Sequence, residues 1–436
     1  MSEIGQSWGR YPQVNQEIHF YVGRSDTLQL PGSGTFLPYG QGRSYGDSCL
    51  NAGGTLISTR YLDKFISFDP HSGRLSCEAG VTLEEILNFF VPRGWFIPVS
   101  PGTQYVSVGG AIANDIHGKN HHRAGTFGCH VLSLELLRSN GERLNCSPDS
   151  ESALFRATVG GLGLTGLIVT ATLQLKPICS AMIDLESIKF KSLDEFFEVS
   201  KESERDFEYT VAWIDCLSSG DNFGRGIFMR GNHSISSQYH QQAERTFPLS
   251  VPLDLPSFCL NPLSVRAFNF AYYHKQREPV LKKPQHYKPF FYPLDAVQNW
   301  NRIYGRRGFL QFQCVVPSNS DNRAIRQILK AAVASGKASF LAVIKEFGEI
   351  KSPGILSFPR PGITLCMDFP FEGASTLGLF NQLDDLVLEN GGALYPAKDA
   401  CMRPAHFKNY YPRHQEFSEF IDPRFSSSFW RRVGQN

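Results

Sequence analysis

The sequence predicts an α+β protein of two domains, and three observations carry that reading. Short β-rich segments alternate with helical ones over roughly the first 180 residues. The C-terminal part runs strand, helix, strand, strand, helix, strand, the split βαβ order that builds an antiparallel sheet with helices on one face. Between them lies a stretch rich in Pro, Phe, Tyr and Leu with no steady period.

In the first part TLIS (55–58), KFISF (64–68) and RLSCEAG (74–80) read as strands, being β-rich and bounded by turn formers. TLEEILNFF (82–90) reads as a helix, because Thr82 and Glu85 have capping-box spacing and Leu83, Ile86, Leu87 and Phe90 fall on one stripe. VLSLELLRSNGERLN (131–145) reads as a hairpin with Asn140-Gly141 at its tip. DSESALFRATVG (149–160) reads as a helix and GLTGLIVTATLQLKP (163–177) as a long alternating strand. In the last part FLQFQCVV (309–316), SFLAVIKEF (339–347), ITLCMDFP (363–370) and ALY (393–395) are the strands. DNRAIRQILKAAVASG (321–336) and STLGLFNQLDDLVLENGG (375–392) are the helices, each stopped by glycine. Proline density over 247–295 argues against a long helix there. That stretch reads as an apolar connector or as a mobile lid that contacts a greasy substrate or a bilayer surface.

Composition narrows the function. With 42% hydrophobic and 19% charged residues the chain of 436 is a soluble globular protein. A net charge of +2 gives no strong field directed at nucleic acid or at acidic membranes. The ten cysteines form no CxxC pair, which argues for reduced thiols in a cytoplasmic protein rather than a zinc site or disulfide framework. The N-terminus has no signal-peptide core and no window has the roughly 20 apolar residues of a spanning helix, which leaves peripheral membrane attachment open.

Three glycine-rich segments carry the chemistry. GQGRSYGD (40–47) allows a tight turn whose amides converge, as phosphate oxygens require, yet it has no GK[ST] and does not open a Rossmann helix. SPGTQYVSVGGAIANDIHG (100–118) places Gly109-Gly110 at a helix start, where a pyrophosphate is well received. VGGLGLTGLIV (159–169) lets a flat group approach the backbone. Together they favour a large dinucleotide. His117, His121 and His122 cluster nearby, but no acid or cysteine follows at a ligand interval and Arg123 opposes a cation, so no metal is expected.

GQGRSYGD, PGTQYVSVGGAIANDIHGKNHH and VGGLGLTG together resemble the flavin domain of the vanillyl-alcohol-oxidase-type (PCMH) flavoproteins. The likeness is fullest to the decaprenylphosphoryl-ribose oxidase branch and continues through GFLQFQ, SFLAVIKEFG, LSFPRPG, DFP and LYPAKD. It implies a PCMH-type FAD-binding domain over 1–185 and a substrate domain over 186–395 with a flexible apolar loop at about 247–295. Residues 396–436 would return to the FAD domain. FAD would be held by Gly40, Gln41, Gly42, Arg43, Ser44, Tyr45, Gly46, Asp47 and Ser48 in the first loop. Gly102, Ser107, Val108, Gly109, Gly110, Asn114, Asp115, Ile116 and His117 in the second, with Ile168 and Tyr395, would complete the set. Arg43 stands where many relatives carry a histidine bonded to FAD, so the resemblance implies non-covalent binding.

By the same resemblance Lys398 and His117 are the catalytic candidates. Lys398 matches the active-site lysine, in an electrostatic role toward reduced flavin in preference to that of a base, and His117 packs or hydrogen-bonds beside the ring. Lys119, Trp213, Gln311, Gln313, Lys345 and Cys366 match the substrate pocket, with Phe291 in place of the family's Tyr and Thr364 in place of its Asn. Lys119 and the basic run LKKP (281–284) would meet an anionic group such as a phosphate. The implied reaction oxidises a secondary hydroxyl of a carrier-linked, polyprenyl-phosphate sugar to a ketone, in cell-envelope polysaccharide synthesis. A separate short-chain reductase would complete an epimerisation. Two alternatives stand beside it: a stand-alone flavin oxidase of free polyols or aldonolactones, and a metal- or ligand-binding protein without redox work.

Overall fold

The computed structural model describes residues 4–28, 33–236, 249–319, 321–337 and 339–434. Two small sheets build the N-terminal part. Glu17–Phe20, Thr55–Ser58 and Phe36–Tyr39 form a parallel sheet in that order. Phe65–Asp69, Arg74–Glu78, Leu167–Gln174, Val131–Leu137 and Arg143–Cys146 form an antiparallel one. The capping box of Thr82 and Glu85 opens the helix Leu83–Phe90, which buries all four residues of its predicted stripe. The second glycine segment becomes the helix Val108–Ala113, started by Ser107, whose hydroxyl accepts from the Gly110 amide.

An eight-stranded antiparallel sheet dominates the rest. Its order is Val280–His286, Met182–Phe190, Gly226–His233, Tyr209–Ile214, Ala342–Phe347, Gly362–Pro370, Phe309–Val316, Ala393–Leu394. The strands predicted at 309–316, 339–347, 363–370 and 393–395 form half of it, with the helices Arg323–Ala334 and Ala374–Glu389 between them. The other half repeats the same element order from Met182, so the sheet switches in before residue 186. Numbered by chain order within each unit, the strands run 4-1-3-2 and then 2-3-1-4, mirrored about the pairing of Tyr209–Ile214 with Ala342–Phe347.

Three helices, Leu193–Ser203, Arg323–Ala334 and Ala374–Glu389, pack Phe196, Ile328 and Leu383 into one core with Phe228, Ile344 and Leu365 on a single face of the sheet. The helix Pro262–Lys275 lies over the other face, where Tyr272 and Tyr273 pack on Trp213 and Ile227.

That helix corrects the reading of 247–295 as a loop, of which 247 and 248 lie outside the described residues. Pro262 occupies a first-turn position, where a missing N–H is harmless, and Asn261 caps the helix by accepting from the Leu263 and Ser264 amides. Pro284 sits on an edge strand, where prolines are tolerated. The end of the chain comes back to the first sheet: the Phe36 amide donates to the Arg424 carbonyl at 2.8 Å, and Ser428–Val433 packs beside Asp47–Cys49. Among the described residues no helix is long and apolar enough to cross a membrane.

A candidate cofactor and substrate cavity

Between the glycine loops and the face of the large sheet that carries Trp213 and Ile227 lies a cavity of about 1160 Å³. Ordinary small-molecule sites occupy roughly 300–1,000 Å³, so this one has room for a dinucleotide and a second ligand. Two glycines set the geometry of the first loop. Gly42 has a φ of +64°, and a Cβ added to Gly46 would overlap the Asp399 carbonyl oxygen. The close approach at Gly46 lets the Tyr45 amide donate to the Ala397 carbonyl at 2.9 Å, pinning the turn that carries Lys398.

Most residues predicted to hold the cofactor line this cavity: Gly40 to Tyr45, Ser48, Gly102, Ser107, Gly109, Gly110, Asn114, Ile116, His117, Ile168 and Tyr395. Gly46, Asp47, Val108 and Asp115 are not among its lining. Gly46 is pressed against Asp399, and Asp47 is turned away to Arg432. Val108 is buried in the core beneath its helix. Asp115 is fully buried, accepting from the Gly128 amide at 2.9 Å and from the hydroxyls of Ser352 and Ser357.

The cradle fits FAD on its own terms. Among the described residues, Arg43 Nε, Ser48 Oγ and His117 Nδ1 are buried polar atoms with no partner, although their residues line the cavity. Buried polar groups are otherwise nearly always satisfied, so these three mark places for ligand atoms. The Arg43 guanidinium is held 4.3 Å from the Trp8 ring centroid and 5.2 Å from that of Tyr105. His117 Nε2 accepts from the Gln313 amide at 2.9 Å, which leaves the ring proton on Nδ1. Burial, reinforced by Lys345 and His121, pushes its pKa well below the usual histidine value, so the ring is neutral. His117 bridges to Thr126 in extended backbone, and the helix His121–Ala124 begins only after it, so the i, i+4 spacing is not a helical one.

All eight predicted substrate residues, Lys119, Trp213, Phe291, Gln311, Gln313, Lys345, Cys366 and Lys398, line the same cavity. Sheet register brings several of them together: Gln313 pairs with Cys366, Lys345 with Thr364, and Trp213 with Val343. Gln313 also donates to the Thr364 hydroxyl at 3.4 Å. Phe291 packs edge-on against Tyr209 at 4.8 Å, and the Trp213 indole donates to the Phe340 carbonyl at 3.0 Å. Burial pushes the Cys366 thiol up, so it stays protonated and is no nucleophile.

Three lysines are recessed in the wall without an ion pair among the described residues. Lys398 Nζ lies 3.6 Å from the Tyr45 ring centroid, and burial lowers its pKa. An ordinary ion pair with Asp399 is not formed; that carboxylate accepts from Arg432 at 2.8 Å. Lys119 Nζ donates to the Phe291 carbonyl at 3.4 Å, and burial lowers its pKa to about 8. Lys345 Nζ donates to the Gly118 carbonyl at 2.9 Å, and burial, then the neighbouring Lys119, lowers its pKa to about 7. From the basic run, Lys283 lines the cavity, whereas Lys282 is paired with Glu186.

Asp368 was missed by the sequence reading. It pairs across the sheet with Gln311, whose amide donates to Oδ1, while Oδ2 is buried with no partner. Burial raises its carboxyl pKa and the charge on Lys398 opposes that rise. The signal that could have found it is period two along the strand, since Thr364, Cys366 and Asp368 share one face.

The comparisons with known proteins agree with this geometry. Residues 33–147 match the FAD binding domain family. Over 408 residues the chain is 38% identical to decaprenylphosphoryl-beta-D-ribose oxidase of Mycolicibacterium smegmatis, spanning 90% of this chain and 88% of that protein. It is 31% identical over 371 residues to a Streptomyces coelicolor protein described as "Uncharacterized protein in mprA 5'region", covering 81% of this chain and 100% of that one. Identity to D-arabinono-1,4-lactone oxidase of Yarrowia lipolytica is 31% over 142 residues, only 27% of that protein. The first domain is thus a PCMH-type FAD-binding domain, and its cofactor is FAD. The chain belongs to the family of decaprenylphosphoryl-beta-D-ribose oxidase and is an FAD-dependent oxidoreductase.

Proposed function

We propose that the protein oxidises a secondary hydroxyl of a polyprenyl-phosphate-linked sugar to a ketone. The observation that carries this reading is the wall of Lys119, Lys345 and Lys398, three lysines that form no ion pair among the described residues and face one cavity with the glycine loops. Bound FAD supplies the hydride acceptor. Gln311 and Gln313 offer amide groups to sugar hydroxyls, and Lys119 and Lys345 offer charge to a phosphate. Lys398 in its cationic form would offset the negative charge that hydride transfer leaves on the cofactor, while the hydroxyl proton passes to solvent. His117, neutral and fixed by Gln313, presents an N–H on the cofactor side. The division at about residue 185 assigns FAD to the first part and the sugar to the second, and the polyprenyl tail calls for peripheral work at a membrane, on the cytoplasmic side. A separate short-chain reductase that returns hydride to the ketone from the opposite face gives net epimerisation.

The test is anaerobic mixing of the yellow protein with carrier-linked and free sugars. Polyprenyl-phosphoryl pentoses bleach the flavin under this reading. Bleaching by free aldonolactones alone would establish instead the stand-alone oxidase suggested by the lactone oxidase similarity.

Two further results are expected. Acid precipitation leaves all the FAD in the supernatant, because Arg43 cannot form the bond a histidine forms there; flavin retained on the pellet overturns non-covalent binding. The KM for an anionic substrate rises as pH is raised through about 7 to 8, as Lys345 and then Lys119 lose their protons. The KM for an uncharged analogue stays flat over the same range.

A further inference from the structure

The helix Pro262–Lys275 is inside out. Its buried face carries Val265, Asn269 and Tyr273. The Asn269 amide donates to Asp215 at 2.8 Å and the Tyr273 hydroxyl to the Phe190 carbonyl at 3.3 Å, so polar groups hold the helix to the protein. At 100° per residue, Leu263, Ala267, Phe270 and His274 fall on the opposite face. Leu263 is 76% exposed and Phe270 58%. In the segment just before the helix, Leu249, Leu253 and Phe258 are also largely exposed. Surface helices place charged and polar residues outward, and large exposed apolar patches on soluble proteins mark contact surfaces.

Basic residues outnumber acidic ones in this helix and just after it, although Lys275 and Lys283 also line the cavity. The helix contains Arg266 and Lys275 and no acid. Arg277, Lys282 and Lys283 follow, with Glu278 the one acid among them. Lys282 is partly neutralised by Glu186, and the nearby Asp254 is paired with Arg10. Apolar side chains on an exposed helix face, flanked by basic ones, are the chemistry of an anionic lipid surface.

We propose that the outer face of Pro262–Lys275 docks on an anionic bilayer, with Leu263 and Phe270 entering the interface. The helix also reaches the cavity, which Tyr272 and Lys275 line. Docking therefore turns the cavity toward the lipid; that consequence rests on the proposed lipid-carried substrate, while the docking itself does not.

The test uses the full-length, FAD-bound protein without substrate, floated with vesicles of phosphatidylcholine alone or mixed with phosphatidylglycerol. Wild type floats with the mixed vesicles at least tenfold more than with neutral ones, and high salt releases it. The Leu263→Ser/Phe270→Ser double variant stays at the bottom, with an unchanged flavin spectrum and unchanged bleaching by a short-chain, water-soluble phosphoryl sugar. Wild type that does not float, or floats equally on neutral vesicles, overturns the proposal. So does a double variant that floats like wild type. A wild-type dimer that the double variant disperses, with no flotation, means a second copy covers this face and also overturns it. If wild type floats as expected but no phosphoryl sugar bleaches the flavin, the docking stands and the substrate reading falls.

Discussion

Lys398→Met retains bound FAD and loses flavin reduction by substrate by about two to three orders of magnitude, the effect expected when one group that stabilises transition-state charge is removed. Methionine fills the same space over the Tyr45 ring, now occupied by Nζ 3.6 Å from its centroid, so the cavity keeps its shape. Lys119 and Lys345 are tied to the carbonyls of Phe291 and Gly118, so neither takes its place over the Tyr45 ring. Asp368 responds too: burial raises its carboxyl pKa against the Gln311 hydrogen bond and the Lys398 charge, and without that charge the rise is larger. Anaerobic stopped-flow reduction is the measurement. A normal rate in the variant excludes a catalytic part for Lys398. In the parent protein, a rate that falls as pH rises identifies the cation as the working form, and a rate that climbs identifies a base.

Arg432→Met lowers stability by roughly 3–5 kcal/mol, the range for removing one partner from a buried ion-pair network. Arg432 donates to both oxygens of Asp47, at 3.0 and 2.7 Å, and to Asp399 at 2.8 Å. Burial alone would lower the guanidinium pKa, and Asp399 and Asp47 more than offset it. Without Arg432, two buried carboxylates face each other across the junction of the first glycine loop and the C-terminal segment. Chemical denaturation reads the loss. Adding Asp47→Asn to Arg432→Met recovers part of it, because one stranded charge is then removed. Full stability in the single variant shows that the network contributes nothing net.

The sequence reading succeeded where apolar residues kept a period. The Leu83, Ile86, Leu87, Phe90 stripe and the strand 309–316 needed no tertiary information to be seen. It failed over 262–275 because that helix reverses the usual pattern, showing Leu263 and Phe270 to solvent and Asn269 to the interior. With that helix unseen, the mirrored first half of the large sheet was unseen as well. The glycine loops were legible as a cofactor cradle, yet not the separation of its lining from its supports. Asp47 and Asp115 sit in the right motif, but their side chains serve Arg432 and the serines 352 and 357. Period two along its strand puts Asp368 on the face of Thr364 and Cys366, but its pairing with Gln311 is set by register between strands and was not read from the sequence.

The mirrored halves of the large sheet are stitched by two residue pairs, Ala212 with Ile344 and Trp213 with Val343, whereas eight pairs join Phe309–Val316 to Gly362–Pro370. Each backbone hydrogen bond contributes about 1 kcal/mol net, so this seam, like the two-pair seam to Ala393–Leu394, is held by fewer of them, and it runs under the cavity, where Trp213 and Val343 form part of the lining. A bulky occupant meets less resistance along that seam than along the eight-pair ladder that carries Gln311 and Cys366.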